Sequence, residues 1–293
     1  MMAVLRDLVS ELEQDRSLYE PDQLRRRLEA LDRIETCLFH MPRPEGEAET
    51  AQASALQRRV EAISGNLEVA NRKLYEEIRA EIRRGDGAKR LLEWAKVYDP
   101  AVHADYQLNG VGYDYLDALV SGVLQFDEPG SGIAELPPEM VFYQPTPARF
   151  IFDLIHRTAL NERDVLIDLG SGLGHVPLVA NICTGAHCIG IEIEGVYADC
   201  ARRGAQSLGL QQVTFIQQDV RSADLSEGTV FYLYTPFKGA VLRCVLDMLK
   251  HEASKRQIRI CTLGPCTDAV LQESWLNVEG EQIVDQLTLF RSV

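Results

Sequence analysis

The stretch Asp168-Leu169-Gly170-Ser171-Gly172-Leu173-Gly174-His175 sets one acid, three alternating glycines and a histidine within a single turn. Glycines allow positive φ and let a ligand come close to the backbone. Amides at the start of a following helix favour negative groups. A dinucleotide site wants G-x-G-x-x-G, with pyrophosphate at the helix N-terminus. Here the third glycine follows the second by two residues, and Asp168 inside the turn would repel pyrophosphate. The same carboxylate would welcome the cationic amino-acid end of S-adenosylmethionine. Two further acids fit that ligand. Glu192 ends an apolar run, His187–Ile193, where a carboxylate can accept both ribose hydroxyls. Asp219 ends another, Val213–Asp219, where an acid can accept the adenine amino group, and the Val220 backbone N–H can reach the ring. Acids at three successive strand ends obey the rule that ligands sit beyond the carboxyl ends of parallel strands.

The elements that must position these residues follow from the apolar pattern. Strand-like runs at 165–170, 187–193, 213–219, 230–237 and 258–264 alternate with helix-like segments at 175–183, 196–208 and 239–251. Closing strands are expected at 275–278 and 286–293. Alternation of this kind predicts a parallel, doubly wound sheet covered on both faces. From about residue 141 onward the chain resembles the class I S-adenosylmethionine-dependent methyltransferases. The resemblance implies an α/β, Rossmann-like fold, and cofactor roles for Asp168, Gly170, Ser171, Gly172, Gly174, His175, Glu192, Asp219 and Val220. Within that class, the turn is most similar to that of the SET-independent histone-lysine methyltransferases. Those carry, upstream, a tyrosine-and-threonine loop over the cofactor. Val141, Phe142, Tyr143, Gln144, Pro145, Thr146 and Pro147 resemble it loosely, which makes Tyr143 a lid candidate and Thr146 a cofactor contact. Thr146 also reads as a helix N-cap, with Pro147 at the first helical position.

In this class the end of the fourth strand faces the transferable methyl. Amino-directed relatives carry Asn/Asp-Pro-Pro-Tyr/Phe there; this chain has Tyr234-Thr235-Pro236-Phe237, following Tyr232. The proline and aromatic are kept and the amide or acid is not. Tyr234 or Thr235 is expected to orient a nucleophile, with Phe237 stacking on it or attracting a cation. Plain strand aromatics in the core are the alternative. The acceptor is expected to be an amine or guanidine of a protein or small molecule. An O-methyl acceptor, an NAD-dependent oxidoreductase disfavoured by the glycine spacing, and a non-catalytic scaffold are the rival readings.

Residues 1–126 read as a helical domain and 140–293 as the methyltransferase domain. An eight-position apolar stripe, Leu56, Val60, Ile63, Leu67, Ala70, Leu74, Ile78 and Ile82, predicts one long helix that stops at Arg83-Arg84-Gly85. Packing inside the chain or a homodimer seam would account for it. Linkers are expected at 41–49 and in the Pro/Gly-rich stretch 127–139. Asp99–Tyr106, with His103, and Tyr113, Asp114, Tyr115 and Asp117 form clusters that would either roof the substrate or remain helix surface.

The 293 residues carry 44 acids against 30 bases, a net charge of −14. Such a balance repels a polyphosphate partner at long range, so no nucleic-acid substrate is expected. Seven cysteines without a C-x-x-C pair read as buried free thiols, and Cys183, His187 and Cys188 match no common zinc spacing. With no long apolar span and no signal-like start, the protein is expected to be cytoplasmic and metal-free.

Overall fold

The computed structural model describes residues 2–41, 47–96, 112–126, 143–235, 237–280 and 286–293. The expected linker at 41–49, the Asp99–Tyr106 cluster with His103, the 127–139 stretch, Val141, Phe142 and Pro236 lie wholly or largely outside the described residues.

The described chain falls into two compact units, Met1–Ile78 and Arg79–Val293. The first contains α1 (Met2–Gln14), α2 (Leu24–Phe39) and most of α3 (Glu47–Arg84). The 38-residue α3 is the long helix that the stripe predicts. It ends where expected: Gly85 takes φ +89, and the Gly85 and Asp86 amides donate to the Ile82 and Glu81 carbonyls. Leu56, Val60, Ile63 and Leu67 join Leu5, Leu8, Leu12 and Ile34 in one core cluster. This part of the stripe is spent inside the chain rather than left for a dimer seam. Arg27, 1% exposed, ties the unit together by donating to Asn71 Oδ1 at 2.5 Å and to the Leu18 and Glu20 carbonyls.

The second unit is larger than the sequence suggests. α4 (Gly87–Lys96) packs on α6 (Ala148–Thr158) and α7 (His175–Thr184), and α5 (Tyr115–Leu124) packs on the same two helices. Both lie before residue 126, within the stretch that the sequence reads as helical. Six buried residues on α5 draw it to the sheet's covering layer instead.

The sheet has seven strands, β1 (Val165–Leu169), β2 (His187–Glu192), β3 (Val213–Gln217), β4 (Val230–Tyr234), β5 (Arg259–Leu263), β6 (Leu276–Glu279) and β7 (Thr288–Ser292). Their order is β3-β2-β1-β4-β5-β7-β6. β1 to β5 run parallel, whereas β7 is antiparallel to both β5 and β6. The crossovers use α7, α8 (Gly195–Leu208) and α9 (Gly239–Ala253); a short helix, α10 (Cys266–Leu271), follows β5 and was not foreseen. The order reverses between β1 and β4, which opens a crevice at their carboxyl ends. Behind it, Ile167, Phe231, Leu233, Val245 and Ile260 form a core with no solvent exposure. Among the described residues, no helix is long and apolar enough to cross a membrane.

Candidate active site

β1 delivers Asp168 to the crevice beside Gly190 of β2 and Tyr232 of β4, its register partners. The chain then turns. Gly170 and Ser171 amides both donate to the Ile191 carbonyl, at 2.9 and 3.0 Å, which pins the turn to β2. Gly170, Gly172 and Gly174 take φ of +96, +51 and +84. Space adds to the conformational demand at Gly172, where a Cβ would collide with the Tyr143 ring. Gly174 then begins α7, so the turn opens a helix as the motif requires.

The three strand-end acids share this edge but not one environment. Asp168 is 4% exposed, and burial, then the nearby Glu192 charge, pushes its carboxyl well above the ordinary range. Among the described residues it has no hydrogen-bond or ion-pair partner. Burial also raises Glu192, although its Oε2 accepts the Gly172 amide at 2.7 Å and its Oε1 the Glu194 amide at 2.8 Å. Each oxygen keeps a lone pair for a further donor. Asp219 is the reverse case: the Arg221 side chain holds its carboxyl below the usual range, and its Oδ1 also accepts the Arg221 amide at 2.9 Å. Asp219 thereby caps a 3-10 turn, Val220–Ser222, whose Val220 side chain enters the core.

Tyr143 lies against the turn, its ring centroid 5.1 Å from that of Tyr197 on α8. Its hydroxyl is 3.1 Å from His175 Nδ1. Thr146 does not cap α6. The cap position belongs to Pro147, and the Ala148 amide is held by Asp117 Oδ1 at 2.7 Å. A carboxylate from α5 outcompetes the local Thr-Pro pattern, leaving the Thr146 hydroxyl 3.1 Å from that of Tyr232, both buried. Asp117 also accepts the Asp114 amide at 2.7 Å, and burial raises it to about 6. The Asp114–Asp117 pair thus forms the capping box of α5. Tyr115 is buried on Trp94, with ring centroids 6.3 Å apart, while Tyr113 donates to the Pro145 carbonyl at 2.7 Å.

At the exit of β4, Tyr234 is half-buried. Burial raises both Tyr234 and Tyr113, the latter to about 12, with the Tyr234 charge next in importance for Tyr113. Thr235 adopts φ +38, a strained value for a β-branched residue. Its hydroxyl donates to the Leu263 carbonyl at 3.0 Å and accepts the Cys266 amide at 3.2 Å. It therefore latches β4 to β5 rather than facing an acceptor. Phe237, 2% exposed, is a core residue packed with Val241, Leu242 and Val245. The expected acceptor contact at Phe237 gives way to the core alternative, because its ring is taken up by the apolar cluster. Tyr232, Phe126, Tyr197 and Arg221 escaped the sequence reading. Only the aromatic run of β4 hinted at the first.

The protein's own groups show whether S-adenosylmethionine suits the site. A buried carboxylate at Asp168, unpartnered among the described residues, asks for a cation, and none of the described cationic side chains lowers it. Ser171 Oγ is likewise buried without a partner. Gly170 leaves backbone exposed at the start of the turn, where a ligand can approach it. These features fit the group. No cluster of His, Cys, Asp and Glu among the described residues is arranged to hold a metal ion.

Residues 140–229 match the family described as "Histone methylation protein DOT1". None of the curated proteins matches the chain significantly. Among solved structures, it is similar to an RNA methyltransferase from Salinibacter ruber in complex with S-adenosyl-L-homocysteine, 27% identical over 51% of this chain and 92% of that one, TM-score 0.42. It is also similar to precorrin-6y C5,15-methyltransferase from Geobacter metallireducens, 15% identical over 53% and 92%, TM-score 0.42. The family match, taken with the turn and the strand-end acids, defines a class I S-adenosylmethionine-dependent methyltransferase, with S-adenosylmethionine as its cofactor. Its cofactor turn is of the kind found in the SET-independent histone-lysine methyltransferases.

Proposed function

We propose that the enzyme methylates the nitrogen of an amine or guanidine, carried by a protein or a small molecule. S-adenosylmethionine supplies an activated methyl on a sulfonium, so the protein has only to bind, orient and exclude water. Asp168 would hold the cationic amino-acid end, and Glu192 and Asp219 would take the nucleoside. Domain roles follow the fold: the sheet with α4–α10 forms the catalytic unit and α1–α3 the helical one.

The observation that carries the reading is Asp168 beside Glu192, two buried acids at the mouth of the switch point, with no cation among the described residues to offset Asp168. Two features support an amine or guanidine acceptor. Tyr143 and Tyr234 are partly buried phenols and Tyr113 an exposed one, on segments that flank the turn and the β4 exit, surfaces suited to a cationic or neutral nitrogen. The net charge of −14 disfavours nucleic acid. The family description, histone methylation, supports a protein amine in particular.

An attacking amine must be neutral, and partial burial among aromatics favours the uncharged form. The test offers labelled cofactor with histone peptides, free amino compounds, tRNA and duplex DNA. Label on peptide or amine nitrogen is expected. Label on nucleic acid alone, or on oxygen, would overturn the acceptor assignment and leave the cofactor assignment standing.

A further inference from the structure

His175 opens α7 directly after the last glycine of the turn, and two residues seventeen apart in the chain converge on it. Phe126 packs against the imidazole from one side, with ring centroids 4.7 Å apart at 57°. The Tyr143 hydroxyl meets Nδ1 at 3.1 Å. The phenol's own proton and the Nδ1 lone pair can pair as donor and acceptor. Nδ1 can accept only in a neutral imidazole protonated at Nε2. Burial pushes His175 down to about 4, which keeps it in that form. The Tyr143 ring also rests on Gly172, three residues before His175. Two points of the turn therefore hold one side chain.

We propose that His175 is a positioning residue: its Nδ1 fixes the Tyr143 ring across Gly172, and it serves the cofactor through Tyr143 rather than by touching it. The proposal rests on reading the turn as the cofactor site, and it changes the role expected for His175 from a cofactor contact to a clasp. Locking the phenol in place before the ligand arrives removes part of the ordering cost of binding.

A double-mutant cycle over His175→Leu and Tyr143→Phe tests it, read in two ways. Calorimetry with S-adenosylhomocysteine should show each single change weakening binding about three- to tenfold, the value of one hydrogen bond. The double variant should be no weaker than the weaker single. His175→Gln, whose amide oxygen can still accept from the phenol, should bind within about threefold of wild type. In the free protein, the urea midpoints of the same four chains should show coupling between positions 175 and 143. Losses that multiply in the binding cycle, His175→Gln binding as weakly as His175→Leu, or uncoupled midpoints would each overturn the clasp. Failure of the wild-type protein to bind S-adenosylhomocysteine would instead strike the cofactor reading, and the unfolding cycle would still decide the clasp.

Discussion

Asp168→Asn should stabilise the free protein and cripple the loaded one. Asp168 is 4% exposed and lacks a partner among the described residues, so its charge is a net cost until a cation arrives. Asparagine keeps the shape and removes the charge. An unsatisfied buried group costs about 1–3 kcal/mol, and asparagine still leaves its amide to satisfy, so a gain near the low end, about 1 kcal/mol, is expected. In a unit of this size that is a rise of about 2–4 °C in Tm. The pH dependence has a definite sign. A carboxyl whose folded pKa lies above its unfolded value binds more protons when folded. The wild type therefore loses stability as pH rises from the unfolded value, about 3.9 for aspartate, through the raised folded one. Below that window the two proteins should converge; above it the variant should lead by its full margin. Binding behaves oppositely. Losing a hydrogen bond to a charged group costs about 1.5–3 kcal/mol, or roughly 10- to 150-fold in the Kd for S-adenosylmethionine. The cation should also favour ionised Asp168, so wild-type binding should release protons near the raised pKa, seen as a calorimetric enthalpy that changes with the buffer's own ionisation heat. A lower Tm for Asp168→Asn, or an unchanged Kd, would refute the reasoning.

Other changes separate structural from functional roles. Phe237→Ala should cost about 3–5 kcal/mol in urea unfolding, as for a buried core aromatic, instead of selectively cutting turnover. Gly190→Ala would set a methyl 2.5 Å from the Phe215 ring and 2.6 Å from Ser171 Oγ, so unfolding should show a loss of about 1–3 kcal/mol. Asp117→Ala removes acceptors for the Asp114 and Ala148 amides and should destabilise by about 1–2 kcal/mol, with amide exchange quickening first at the starts of α5 and α6.

Much of the catalytic unit can be read along the chain because its strands are short apolar runs between turns. Each of the seven observed strands falls on an expected run to within a few residues. The glycine turn is equally legible, since Gly170, Gly172 and Gly174 act through local backbone geometry. What escaped is set by tertiary competition. Thr146-Pro147 is a sufficient cap locally, but Asp117 arrives from another helix and takes the Ala148 amide. Phe237 after a proline reads as a strand exit, yet its ring joins the apolar core with Val241 and Val245. The boundary at 126 followed a change in composition. Compactness follows instead the apolar faces of α4 and α5, which nothing in their sequence addresses to one partner over another.

The two halves of the site differ in how they are built, and this explains why one was easier to read. On the cofactor side, the turn, Glu192 and β2 are joined by backbone bonds: the Gly170 and Ser171 amides to Ile191, and the Gly172 amide to Glu192. A motif recorded in consecutive residues suffices to specify such a surface. On the acceptor side, the side chains come from separate segments. Tyr113 reaches Pro145, Thr146 reaches Tyr232, and Thr235 spends its hydroxyl on β5. The strain at Thr235 is of the size a fold tolerates only where its surroundings over-determine it, about 1–3 kcal/mol. Here two hydrogen bonds hold it, and they fix where β4 ends and which way Tyr234 leaves the sheet. Under the proposed function, acceptor choice would rest on side chains from distant segments, so it could diverge while the cofactor turn stays recognisable.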